Sequence, residues 1–205
     1  MANVAFPQAD ASGSEETGLA GPDSTVELTP LGQEQATALG KWLSAQSLDA
    51  VVSSPYVRTR ETTRIALAEL PAERRPTIRL DERLRDRELG ILEMLTRAAV
   101  NRRFPDEQRR RSWTGDFAYR PPGGESMADV LLRVRSFLAD AQVRYPGQRV
   151  LVVSHDAPIA MLRFAIEDLS EVDSYPLPPI GNATVTRWVR TGDRLELAEY
   201  NTALS

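Results

Sequence analysis

Val150-Leu151-Val152-Val153-Ser154-His155-Asp156 runs four apolar residues directly into three polar ones. An unbroken aliphatic run of that length suits a strand covered on both faces of a parallel sheet, where alternation is lost. Pro146-Gly147 breaks the chain before it, and helical spacing follows from about Ala157 to Ile166. Ser154-His155-Asp156 therefore falls at a strand-to-helix turn, at the carboxyl end of a strand. Open α/β sheets bind ligands there. The next helix also offers free backbone N–H groups suited to an anion. His155 is the one histidine in the chain. In this place it either faces a ligand or makes an ordinary backbone bond.

The same pattern occurs upstream. Ala50-Val51-Val52-Ser53 reads as a buried strand, and Pro55 opens a helix over roughly Tyr56 to Leu70. Arg58 lies in its first turn, where a guanidinium can fork onto a phosphate or pair with Glu61 in water. Further upstream, Thr29 caps and Pro30 starts a helix whose stripe is Leu31, Ala38, Leu39, Trp42 and Leu43. Thr77 to Leu80 is the next strand. Leu84-Arg85-Asp86-Arg87-Glu88-Leu89-Gly90 is irregular and charged. Asp86 or Glu88 can donate a proton there, or the run is simply solvated.

Short helices are expected near 96–103 and 105–112, where Arg109, Arg110 and Arg111 either attract an anion or, the favoured reading, stand in water. Arg120-Pro121-Pro122-Gly123-Gly124-Glu125-Ser126 is a break. Its glycines either let backbone approach a ligand or serve the helix that Ser126 caps, which runs to about Tyr145. Ala183 to Val189 and Arg194 to Tyr200 form a hairpin around Thr191-Gly192-Asp193. Strands alternating with helices mean an α/β fold with a mostly parallel sheet flanked by helices.

The 205 residues suit one domain, with residues 1–28 as a loop or arm. A net charge of −4 gives no electrostatic case for nucleic acid. No apolar run approaches the ~20 residues of a membrane span, and Met1 to Ser14 lacks the marks of a signal peptide. The absence of cysteine excludes disulfides and thiolate chemistry within the chain. The expected location is the cytoplasm.

In this order and spacing the segments resemble the histidine phosphatase superfamily, the phosphoglycerate mutase-like fold. The matching stretches are Leu28-Thr29-Pro30-Leu31-Gly32 with Gln35-Ala36, Ser53-Ser54-Pro55 with Arg58 and Glu61-Thr62, Leu84 to Gly90, Pro122-Gly123-Gly124-Glu125-Ser126, and Val152-Val153-Ser154-His155. The resemblance implies a three-layer α/β fold. It also implies phosphoryl transfer through a phosphohistidine, acting on phosphate or a small phosphorylated substrate, with no metal or organic cofactor. By position, Arg58 resembles a phosphate-binding arginine and His155 the second histidine of the pocket. Asp86 matches the acid that protonates the leaving oxygen, where mutases carry Glu. Glu88 is the fallback donor, and Arg87 and Glu125 are further candidates. Residues 97–121, with Phe104, Trp113, Phe117 and Tyr119, are expected to form the lid that chooses substrate.

One departure is large. The family's nucleophile lies in an Arg-His-Gly motif at the end of its first strand, and these 205 residues contain no such motif. If Met1-Ala2 fill the variable positions of Arg-His-Gly-Glu-Ser-x-x-Asn, Asn3 falls on the motif's phosphate-pocket asparagine. The expectation is a chain that begins just after the motif, with its first strand missing. The competing expectation is a pseudophosphatase that binds a phosphorylated ligand without turnover. A mutase is a third option, disfavoured by the short stretch between Gly90 and Pro121. Loss of a central strand unpairs ladder groups at ~1–3 kcal/mol each when buried, so the chain is expected to stay partly open.

Overall fold

The computed structural model describes residues 21–170 and 175–204. Asn3 and the rest of the first twenty residues lie outside them. After a short 3-10 turn at Asp23–Thr25, α1 spans Pro30–Ser44, with the Thr29 hydroxyl accepting from the Gly32 N–H at 3.0 Å. β1 (Ala50–Ser53) leads to α2 (Val57–Ala68) and β2 (Ile78–Leu80). Residues 81–95 hold only two 3-10 turns, Glu82–Leu84 and Gly90–Leu92. α3 (Arg97–Arg103) and α4 (Pro105–Thr114) follow. α5 (Met127–Arg144) opens on a reciprocal capping box between Ser126 and Asp129. β3 (Val150–Val153) and α6 (Asp156–Glu167) come next, then the hairpin of β4 (Thr184–Thr191) and β5 (Arg194–Ala203).

The chain folds as the expected α/β layers. β1 lies between β2 and β3 in a three-stranded parallel sheet, with Val51 opposite Ile78 on one side and Leu151 on the other. Side chains alternate across it. Val51 and Leu151 pack toward Leu39, Leu43, Ala66 and Leu67 of α1 and α2. Val52, Val150 and Val152 face Phe137 and Leu138 of α5 on the opposite side. A third cluster joins α5 to α6 through Val130, Leu131, Val134, Met161 and Phe164. Where α1 and α2 touch, a β-carbon on Gly40 would meet the Ala66 carbonyl at 2.4 Å, so the approach requires glycine.

β3 departs from its sequence reading. Its unbroken aliphatic run suits a fully buried strand, yet all four residues are only partly buried, whereas three of the four in β1 are buried. The cause is lateral. Among the described residues β3 pairs only with β1, and β4 only with β5. The free edges of β3 and β4 line one largely apolar groove of about 790 Å³. Helices cover both faces of β3, and the sequence pattern reports those faces rather than the edge.

The ladder shows which groups look into that groove. The Ala50 N–H donates to the Arg149 carbonyl at 3.3 Å and the Ser54 N–H to the Val153 carbonyl at 2.9 Å. In a parallel strand a residue's N–H and C=O point to the same side. Leu151 and Val153 therefore face β1, and Val150 and Val152 face the groove. In native-state hydrogen exchange the Leu151 and Val153 amides should exchange at least about tenfold more slowly than those of Val150 and Val152. Equal protection across the four would show that another strand occupies the edge.

Candidate functional site

The site forms where β1 and β3 end. β1 delivers Ser54, and α2 carries Arg58 in its first turn. β3 delivers His155 as the N-cap of α6. The 81–90 segment crosses in front and supplies Asp86.

The four side chains are bonded together. The His155 ring and the Ser54 hydroxyl meet at 2.8 Å through Nε2. On the other side of the ring, Arg58 Nη2 lies 3.1 Å from Nδ1. A guanidinium only donates, so Nδ1 accepts and the proton sits on Nε2, donated to Ser54. Arg58 Nη2 also donates to Asp86 Oδ2 at 2.9 Å. Asp86 Oδ2 lies 3.4 Å from His155 Nδ1. The Tyr56 ring stands edge-on to the imidazole at 4.9 Å between centroids. Arg58, Asp86 and His155, picked out separately in the sequence, converge at one point.

Asp23 is the participant the sequence concealed. Its carboxylate takes both Arg58 terminal nitrogens, at 3.1 and 2.9 Å, and its carbonyl takes a further bond at 2.7 Å. It sits on the fork where a phosphate's oxygens would otherwise sit. It belongs to a stretch without hydrophobic periodicity, so only Pro22 marked a local turn.

The other candidates stand nearby with different partners. Glu88 is largely exposed and pairs with Arg85 at 3.0 Å. The Arg87 guanidinium turns to the carbonyls of Glu125 and Tyr119, at 2.7 and 3.0 Å. Glu125 accepts from Arg85, Arg133 and the Glu88 N–H, and so fixes the acid's segment. Arg133, on α5, also donates to the carbonyls of Arg83 and Asp86. Gly90 completes the anchorage: with φ +55°, a β-carbon there would meet the Pro122 carbonyl at 2.1 Å. The glycines at 123–124 thus admit the backbone of the acid's own segment. In the 97–121 stretch, Phe117 packs on Phe164 and Tyr175, whereas Trp113 is exposed.

The environment separates the protonation states. Burial, reinforced by the cations of Arg58 and Arg133, holds His155 well below the usual imidazole range, so the ring is neutral at pH 7. Burial, and then the Asp156 charge, push the Asp86 carboxyl up to about 7 against the pull of Arg58. A carboxylic acid half-protonated near neutrality, beside an arginine fork and a neutral imidazole, can protonate a departing oxygen while the fork holds an anion.

The family profile described as "Histidine phosphatase superfamily (branch 1)" matches residues 11–203. A bifunctional protein of Mycobacterium tuberculosis is 39% identical over 142 residues, covering 68% of this chain and 37% of that protein. The chain thus spans little more than a third of the first curated relatives it matches. A glucosyl-3-phosphoglycerate phosphatase of Mycobacterium tuberculosis is 31% identical over 170 residues, 79% of this chain and 74% of the relative. The solved complex of a mycobacterial glucosyl-3-phosphoglycerate phosphatase with inorganic phosphate superimposes with a TM-score of 0.77 at 28% identity, covering 93% of this chain and 95% of that one.

The Asp86 environment has a pH signature. Its carboxyl ionises near 3.9 when unfolded and near 7 when folded, so its contribution to stability is complete below about pH 4 and lost as pH rises through about 7. Asp86→Asn cannot ionise. In urea unfolding, the native chain should therefore lose up to a few kcal/mol relative to Asp86→Asn between pH 4 and 8. A difference that stays constant with pH would assign Asp86 an ordinary carboxylate range.

Proposed function

Because the chain belongs to the histidine phosphatase superfamily, we propose that it is a phosphatase of small phosphomonoesters, with Arg58 and His155 holding the phosphoryl group and Asp86 protonating the leaving oxygen. The convergence of Arg58, His155 and Asp86 at the carboxyl ends of β1 and β3 carries this proposal. Arg58 supplies the planar fork for two phosphoryl oxygens, and His155 supports a third. Asp86, its carboxyl pushed up to about 7 by burial, gives its proton to the oxygen whose bond to phosphorus breaks. The resulting carboxylate stays beside Arg58 and can take a proton from an attacking water.

The family's route needs a phosphohistidine, and His155 is already committed to Ser54 and Arg58. In this proposal the nucleophile is a second histidine, which these 205 residues do not contain. Residues 97–121 would cover the substrate, reaching the site through the Tyr119 carbonyl on Arg87. The proposed setting is the cytoplasm; among the described residues no helix is long and apolar enough to cross a membrane.

A second reading has its own observation. With the one histidine fixed by two bonds, the chain alone is a pocket for a phosphorylated ligand rather than a catalyst.

Titration with inorganic phosphate tests the shared part. The chain should bind it, Arg58→Met should abolish binding, and Asp23→Asn should strengthen it about tenfold by freeing the fork. Unaltered binding in Arg58→Met would sink the assignment. Turnover separates the two readings. The product of the complete gene should hydrolyse p-nitrophenyl phosphate through an acid-labile phosphoenzyme. Retained phosphate binding without hydrolysis or phosphoenzyme would establish the non-catalytic reading.

A further inference from the structure

Next to Asp86 a cavity of about 420 Å³ opens between the 86–94 segment, the start of α6 and residues 175–180. Its volume suits a small organic group. Asp86 and Tyr56 are among its walls, so it lies where the alcohol part of a phosphomonoester must go if Asp86 protonates the leaving oxygen. The walls divide by chemistry. Met94, Met127, Tyr175 and Leu177 give apolar surface. The charged lining is mostly acidic: the carboxylates of Asp23, Asp86, Glu88, Glu93 and Asp156 stand against one guanidinium, that of Arg87.

Arg87 is the one basic side chain in that lining among the described residues, and its Nε and Nη2 are turned to the carbonyls of Glu125 and Tyr119. Arg58, beside two of these lining carboxylates, is held by Asp23 and Asp86. Among the described residues Arg85 lies against Glu88 at 3.0 Å and is shared with Glu125. Residues 1–20, 171–174 and 205 contain no lysine, arginine or histidine, but they do contain Asp10, Glu15, Glu16, Glu171 and Asp173. A second anionic group on the substrate would therefore enter a field dominated by its own sign.

We infer that this cavity selects phosphomonoesters of uncharged or cationic alcohols and rejects those whose alcohol carries a carboxylate or a second phosphate. The inference rests on the phosphatase-type site proposed above and narrows its substrate. It separates this chain's preference from that of a phosphoglycerate site, since phosphoglycerates carry a carboxylate on the alcohol. An apolar face on the alcohol would lie on Met94 and Leu177, and a cationic one would be favoured between the Tyr175 ring and Glu88 or Glu93.

The test is competition on the full chain at pH 8, by calorimetry against inorganic phosphate. Phenyl phosphate supplies a neutral apolar alcohol, phosphocholine a cationic one, 3-phosphoglycerate a carboxylated one and 2,3-bisphosphoglycerate a doubly charged one. Phenyl phosphate and phosphocholine should bind at least tenfold more tightly than either glycerate, a difference of about 1.4 kcal/mol. The pair Glu88→Gln with Glu93→Gln, both at exposed positions, should narrow that ratio several-fold while binding of inorganic phosphate stays measurable. Equal or tighter binding of 3-phosphoglycerate overturns the inference and leaves the phosphate site standing. A ratio that the paired substitution does not move also overturns it, because the carboxylates would not be its source. If inorganic phosphate itself does not bind, the phosphate site falls and the inference falls with it.

Discussion

The Arg58 guanidinium is the interaction on which the site depends. It is mostly buried, with 12% of its side chain exposed, and it touches Asp23, Asp86 and His155 at once. A cation so enclosed is tolerated only with close anionic partners. Asp23 provides one and Asp86, when ionised, a second; the arginine adds to burial in keeping the imidazole neutral and fixes its proton on Nε2. One side chain thus sets the tautomer of the histidine, the position of the acid and the charge offered to a ligand. Because Asp23 fills the fork, an incoming anion exchanges one carboxylate for another group of the same sign, and the arginine is never left bare.

Asp86 gains its position from a second network that does not touch the ligand. Glu125 and Arg133 clamp the 83–88 backbone, and Gly90 lets that backbone press against residues 122–124. The segment has no regular secondary structure beyond short 3-10 turns, yet the Arg83 and Asp86 carbonyls accept from Arg133 on α5 and the Glu88 amide donates to Glu125. Irregular backbone held in this way can place an acid at a fixed distance from β3 without a helix or strand beneath it.

Much of this was legible in the amino-acid order. The ends of the two aliphatic runs located Arg58 and His155, because a strand of that character leaves little freedom about where its turn emerges. The Leu84–Gly90 segment gave Asp86 and Glu88 as alternatives, and the fold separates them by burial: one meets Arg58 and the other stays in water with Arg85. Asp23 was illegible because nothing in a turn residue's neighbours names a partner 35 positions away. The bond between Ser54 and His155 spans 101 positions for the same reason. The edge of β3 that stays unpaired among the described residues is not legible in its aliphatic pattern, because such a pattern reports faces and lateral pairing leaves no trace in it.

That free edge also changes how the molecule holds together mechanically. The β4–β5 hairpin shares no ladder with β1–β3 among the described residues. It is fastened by Val185 and Leu204 against the α1–α2 cluster, by Trp188 Nε1 donating to Glu167 at 3.2 Å, and by Arg163 over the Tyr200 ring at 4.2 Å. Ladder hydrogen bonds set a discrete register, whereas apolar contact has no preferred alignment along a surface. Under load the parallel sheet resists as a zipper does, failing one rung at a time. The hairpin is seated on grease with two pins, free to shift by small increments until the pins take the strain.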